Sequence, residues 1–263
     1  MNWQCDFLQS GLYCDLQRLF PALASERDFP SLDTLASWLA PNTLTEQGQH
    51  IRFCAEPPGD YYELQVMQTG RVPTREQNWH DMFNALAWAL FPQAKARINA
   101  LHVADIAAFG LHPRTLRRDS LTLFDECGVL VPSSDKSLLE ALRQHHWREV
   151  FFTQRRRWGR DIEARVFGHA VYEQGLTPYL GLTAKMFPIE VVPEYFSLSL
   201  KERYRFLDAN LATMLTNGAL NNKKRLSPLP LLGVPGWWPG NADSAFFDNP
   251  QYFRPLFKAR APL

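Results

Sequence analysis

The chain has 263 residues, 28 Lys and Arg against 27 Asp and Glu, and a formal net charge of +1. This excludes a uniformly basic nucleic-acid binder, because non-specific phosphate binding draws on an excess of positive charge. With 46% hydrophobic and 13% aromatic residues and a mean hydropathy of -0.28, the chain is too apolar for disorder, and no run approaches the ~20 apolar residues of a membrane helix.

Residues 1–72 read as a mixed α/β part. The segment 31–39 suits a short capped helix, and 50–56 with 61–68 flank the turn formers Pro57, Pro58, Gly59 and Asp60 as an expected hairpin. Residues 73–226 read as a helical core. Thr74 followed by Gln77 has the spacing of a capping box and predicts a helix over 76–90. Pro92 suits the first position of a second helix over 92–108, so the two meet at a corner near Phe91. Alternation over 120–132, broken at Asp125-Glu126-Cys127-Gly128, predicts a second hairpin. Helices are expected at 135–144, 146–158, 161–174 and 200–216.

Residues 227–263 carry seven prolines among many rings. They read as an extended arm whose aromatic side chains dock on the body, since each large ring buries ~150–250 Å². No Ser/Gly-rich linker separates these parts. The expected fold is α+β: one helix-rich globular unit over 1–263, with two short β-hairpins and a Pro/aromatic-rich C-terminal arm.

Cys5, Cys14, Cys54 and Cys127 show no zinc spacing and read as free thiols in a reducing compartment. With no signal-peptide pattern at the start, a cytoplasmic location is expected. P-loop, Rossmann, GxSxG and HExxH motifs are missing, so the usual ATPase, dinucleotide, α/β-hydrolase and zincin readings lose their support.

Chemistry is best sought on three helices. At about 100° per residue, His80 and Asn84 lie on the flank of the apolar stripe Trp79, Met82, Phe83, Leu86, with Asp81 behind. On the next helix Lys95, Asn99 and His102 align beside Ala94, Ile98 and Leu101, so the two helices can present His80, Asn84, Asn99 and His102 to one cleft. His169 and Glu173 are four apart on the face of Ile162, Val166 and Ala170. Such a pair serves as a general base with its orienting acid, as two metal ligands, or as a buried structural hydrogen bond.

The expected catalytic set is therefore His169, Glu173, His80, Asp81 and His102, with Asn84, Asn99, Lys185 and Arg157 as substrate contacts. His80, His102, His169 and Glu173 are the candidate ligands of a divalent metal, for which zinc, iron and manganese all suit the donors. Asp125 and Glu126 fall in the expected turn and read as turn formers. The reaction this set suits is that of a small hydrolase or transferase on a small-molecule substrate. The alternative is a non-catalytic module that holds a protein or RNA through Arg155–Arg160 and the aromatic arm.

The boxes NWHDMFNALAW, FPQAKARINALH, LTLFDECGVLV, VFGHAVYEQGLTPYLGLTAK and PLPLLGVPGWWPGN, followed by a terminal FRP, resemble a bacterial domain family of unknown function, number 3025. The similarity runs in order from about Val72 to Pro255. It implies a bacterial source and a single family-length domain, and it carries no reaction, cofactor or partner.

Overall fold

The computed structural model describes residues 3–57 and 61–256. After short 3-10 turns, α1 (Cys14–Leu19) and α2 (Leu32–Ser37) lead into the first sheet. Ser31 caps α2, its hydroxyl accepting the Thr34 N–H at 3.1 Å.

β1 (Arg52–Cys54), α3 (Tyr62–Thr69) and β2 (Arg71–Pro73) follow. β1 and β2 pair in parallel with Arg52 opposite Arg71, so the expected hairpin is replaced by a crossover, as parallel strands require. Residues 58–60 of its turn lie outside the described residues. The segment 61–68 has strand-like side chains, yet it buries Val66 and Met67 as a helix, because tertiary packing outweighs the modest strand preference of such residues. Gly70, at φ 69°, ends α3 by donating to the Val66 carbonyl. A Cβ there would also strike the His50 carbonyl at 2.1 Å, so both backbone conformation and space demand glycine.

α4 (Trp79–Leu90) starts later than the Thr74/Gln77 spacing predicts. Gln77 has φ 54°, and the cap is Asn78, whose side chain accepts the Asp81 N–H at 3.0 Å. α4 is buried on two sides, by Phe83 and by Trp88 alike. α5 (Pro92–Phe109) begins at Pro92, as expected. Its free N-terminal N–H groups at Gln93 and Ala94 are taken by the Asp208 carboxylate at 3.1 and 2.8 Å.

The second expected hairpin is overturned. α6 (Leu116–Cys127) runs through Asp125 and Glu126 and passes directly into β3 (Gly128–Ser133). Gly128 makes that turn possible, since a Cβ would meet the Phe124 ring at 2.5 Å. α7 (Lys136–Arg143) matches expectation, whereas the expected 146–158 helix is shorter and irregular: residues 147–148 are helical and continue into a π turn at Glu149–Thr153, and a 3-10 turn follows at Arg155–Arg157. The 161–174 segment divides into β4 (Arg165–Val166) and α8 (His169–Gly175).

β5 (Thr183–Glu190), α9 (Leu200–Thr216) and β6 (Ser227–Pro230) complete the elements. α9 opens with a full capping box from Ser199 and Glu202. The main sheet has the order β4-β3-β5-β6, with β3 and β5 parallel and the two outer pairs antiparallel. β3 is buried along its whole length. It forms the centre of a hydrophobic cluster that also takes in Leu8, Phe53, Trp88, Phe187 and Phe253.

The architecture is therefore α+β, with a four-stranded mixed sheet and a two-stranded parallel one in place of two hairpins. The C-terminal arm docks as expected. Phe247, Tyr252 and Phe253 are buried, and the Tyr252 hydroxyl donates to the Leu182 carbonyl at 2.7 Å. Phe257, also expected in this arm, lies outside the described residues. Among the described residues no helix is long and apolar enough to cross a membrane.

Candidate functional site

Three helix ends converge on one point. His80 is in the first turn of α4, Glu126 in the last turn of α6, and His169 is the first residue of α8. The α6–β3 and β4–α8 junctions are pressed together by Phe167 and Gly168, whose N–H groups both donate to the Gly128 carbonyl at 3.0 and 2.8 Å. Gly168 allows this approach: a Cβ there would lie 2.4 Å from the Glu126 carbonyl oxygen. Glycine at 168 thus sets the distance between Glu126 and His169.

The Nε2 atoms of His80 and His169 are 2.9 Å apart. Glu126 Oε2 is 3.4 Å from His169 Nε2 and 3.9 Å from His80 Nε2. A point equidistant from these three atoms, in their plane, is about 2.0 Å from each, which is the length of a zinc–nitrogen or zinc–carboxylate bond. Behind His80, Glu173 Oε2 lies 2.8 Å from Nδ1. A carboxylate only accepts, so Nδ1 carries a proton and Nε2 is the ring nitrogen turned towards the cluster.

His169 is buried, and burial pulls its imidazolium down to about 3, with Asp125 opposing and Lys95 and His80 adding to the fall. It is therefore neutral near pH 7, the form a metal ligand needs. Its Nδ1 is sealed from solvent without a hydrogen bond. Burial raises the Glu126 carboxyl, His80 pulls it down, and the Asp125 charge pushes it further up.

Asp125 points the other way from the same turn. Its carboxylate takes Lys95 Nζ at 2.6 and 2.8 Å, and Lys95 also donates to Asn84 Oδ1 at 2.9 Å. Burial works to raise the Asp125 carboxyl, and the Lys95 ammonium together with the His169 and His102 rings brings it below its ordinary value. The ammonium also sits 5.6 Å over the Trp88 ring, so a fully enclosed cation is held by three acceptors and an aromatic face.

The cluster opens on a cavity of about 440 Å³, whose wall includes His80, Asp81, Asn84, Asn99, His102 and His169. The structure thus brings six of the residues expected from sequence to one wall, with Glu173 behind His80. His102 stands outside the His80–Glu126–His169 group. Asp81 is occupied by the Arg75 guanidinium at 2.8 and 3.0 Å and by the Arg75 N–H. Lys185 lies on β5 opposite Pro228, and Arg157 pairs with Asp135 and Asp161; neither lines this cavity.

Glu126, Asp125, Tyr62 and Glu63 also line the cavity and were not among the expected site residues. The signal for the first two lay in the sequence. Leu121 and Phe124 are three apart, a helical spacing that continues through the acidic pair to Cys127, and this spacing competes with the turn reading of Asp-Glu-Cys-Gly.

Trp237 and Trp238 of the arm, both half-buried, line a second cavity of about 520 Å³ together with Arg155 of the Arg-rich segment. Arg155 donates to Asn241 through both terminal nitrogens at 2.9 and 3.0 Å, and three of the arm's rings are buried.

No curated protein and no solved structure matches the chain. A family model described as "Protein of unknown function (DUF3025)" matches residues 51–257. That span holds every residue of the His80–Glu126–His169 cluster and of the cavity wall, and the chain belongs to this family.

Proposed function

We propose that this cavity is the catalytic centre of a metal-dependent hydrolase, with His80, His169 and Glu126 holding one divalent cation, zinc by preference. The observation that carries this reading is the triangle of two imidazole nitrogens and one carboxylate oxygen around a common centre. Two histidines and one glutamate are a donor set used by catalytic zinc, with further positions left for water and substrate. Such a cation polarises a carbonyl or phosphoryl oxygen and lowers the pKa of a bound water towards neutrality.

The chain's own groups have distinct tasks in this reading. Glu173 holds the His80 ring in its Nδ1–H tautomer through the 2.8 Å contact. The Lys95–Asp125 pair anchors the last turn of α6 and so aims Glu126. Asn84 lies on the same cavity wall, where its amide can orient a substrate.

The test is elemental analysis of purified protein after equilibration with zinc and removal of free metal. One zinc per chain is expected in the wild type and in His102→Ala, and none in His80→Ala or His169→Ala. Zinc-loaded protein should hydrolyse activated esters or amides, and the two histidine variants should not. A wild type without metal, or variants that retain it, would overturn the reading.

A further inference from the structure

Beyond the cluster, α5 carries the cavity wall onward from Lys95 through Ile98 and Asn99 to His102, a span of about 10 Å of helix. α3 faces it with Glu63. Here the polar groups are not matched to one another. Asn99 Nδ2 is committed to the Glu63 backbone carbonyl at 2.9 Å, which leaves Asn99 Oδ1 sealed from solvent with no hydrogen bond; His102 Nδ1 is in the same condition. Both side chains are more than nine-tenths buried.

Glu63, like Glu126, has no Lys or Arg ion-pair partner among the described residues. Asp81 has Arg75, Asp125 has Lys95 and Glu56 has Arg71, whereas the nearest ion-pair partner of Glu63 among the described residues is His102 at 3.9 Å. Burial pulls His102 down to about 4, so it supplies no positive charge near neutral pH. Arg114 and Arg118 act on Glu63 only at a distance. Arg118 donates to the Leu111 carbonyl and the Tyr61 hydroxyl, with its Nε–H left without a partner, and Arg114 is taken by Asp119, Thr122 and the Arg118 carbonyl.

Glu63 is a half-buried carboxyl that burial raises and its own backbone N–H pulls down, and with no Lys or Arg beside it and an unsatisfied amide oxygen on the neighbouring Asn99 this end of the wall is short of donors. A primary ammonium offers three N–H donors and one positive charge, and so answers both deficits. Ile98, one turn on from Lys95 and buried on the same wall, suits an apolar stem.

We infer that the Glu63–Asn99–His102 end of the cavity is a recognition subsite for a primary ammonium on a short apolar stem. That this subsite selects the substrate of the proposed hydrolase rests on the reading above; binding of the ammonium does not.

Titration with n-hexylamine, n-hexanol and hexanoate, followed by calorimetry or amide chemical shifts, tests it on protein whose zinc content is measured in parallel. Hexylammonium is expected to bind at least about tenfold more tightly than hexanol, with hexanoate weakest. Glu63→Gln, whose melting temperature and zinc content should match the wild type, is expected to lose that preference, and Glu63→Asp to keep most of it. His80→Ala should keep it as well, which separates ammonium capture by the subsite from amine ligation at the metal. Equal binding of hexylamine and hexanol, or a preference that survives Glu63→Gln, would overturn the subsite. A protein without zinc that still prefers hexylamine would remove the metal centre and leave the subsite standing.

Discussion

Two polar clusters lie within this fold, and they are built on opposite principles. In the first, Asp15, Glu163, Arg165 and Arg203 lie buried or half-buried between α1, β4 and α9. Arg165 reaches Asp15 at 2.8 Å and Glu163 at 2.6 and 3.1 Å, Arg203 reaches Glu163 at 2.7 Å, and the Tyr195 and Tyr204 hydroxyls take the remaining carboxylate positions. Two negative charges meet two positive ones, and none of these residues lines the His80 cavity. In the second, Glu126, Glu173 and Asp125 face Lys95 and two imidazoles whose nitrogens confront each other across 2.9 Å. Its charge is unbalanced and it opens on space. A network that satisfies itself is fitted to hold elements together; one that needs a cation to become balanced is fitted to bind one.

This contrast predicts opposite responses to mutation. Glu163→Ala should have the largest effect on stability, about 3–5 kcal/mol in urea unfolding, because it leaves Arg203 without a carboxylate and removes one of the two that hold Arg165; the protein that remains folded should bind zinc as before. Lys95→Met should come next, since the half-buried Asp125 on the cavity wall would lose its ammonium partner, and adding Asp125→Asn should recover most of the loss. Were Glu163→Ala to cost less than Glu126→Gln, the assignment of structural and binding roles would be inverted.

Glu173→Gln probes the boundary between the two kinds of cluster. The side chain is 43% exposed, so unfolding should change by less than about 1 kcal/mol. Zinc affinity, measured against a competing chelator, should fall about 10–100-fold as the orienting carboxylate of His80 is lost.

Asp208 belongs to neither cluster, and its effect depends on pH. Burial lifts its carboxyl to about 6, although the Ala94 and Gln93 N–H groups pull the other way. The folded state therefore holds a proton that the unfolded chain releases. The contribution to stability is fully present below about pH 4 and is lost as the pH rises through about 6. Relative to Asp208→Asn, the wild type should lose up to about 3 kcal/mol between these limits. A flat difference across that range would place the proton elsewhere.

Much of the frame could be read from sequence. Pro92, the helical spacing over 200–216 and the apolar stripe of α4 are local signals, and the structure follows them. Helical spacing alone brought His80, Asn84, Asn99 and His102 to one face, and all four line the cavity. Two misreadings had the same cause. The 61–68 and 120–127 segments carry strand-like or turn-like residues, and which conformation they take depends on contacts far along the chain: the His50 backbone against Gly70, and Glu126 against Gly168. Reading Asp125-Glu126 as a turn removed the one carboxylate that the two histidines face. Lys95 was seen as a helix-flank residue, and its partner Asp125, 30 residues later, could be recognised only in three dimensions.

The central claim is that His80, Glu126 and His169 share one cation. Anomalous diffraction from crystals grown with zinc, recorded on both sides of the zinc absorption edge, tests it most directly. A single peak about 2.0–2.1 Å from the Nε2 atoms of His80 and His169, and within bonding range of a Glu126 oxygen, is the predicted result. Crystals with no peak between these residues, or with zinc bound only at other surface groups, would contradict it.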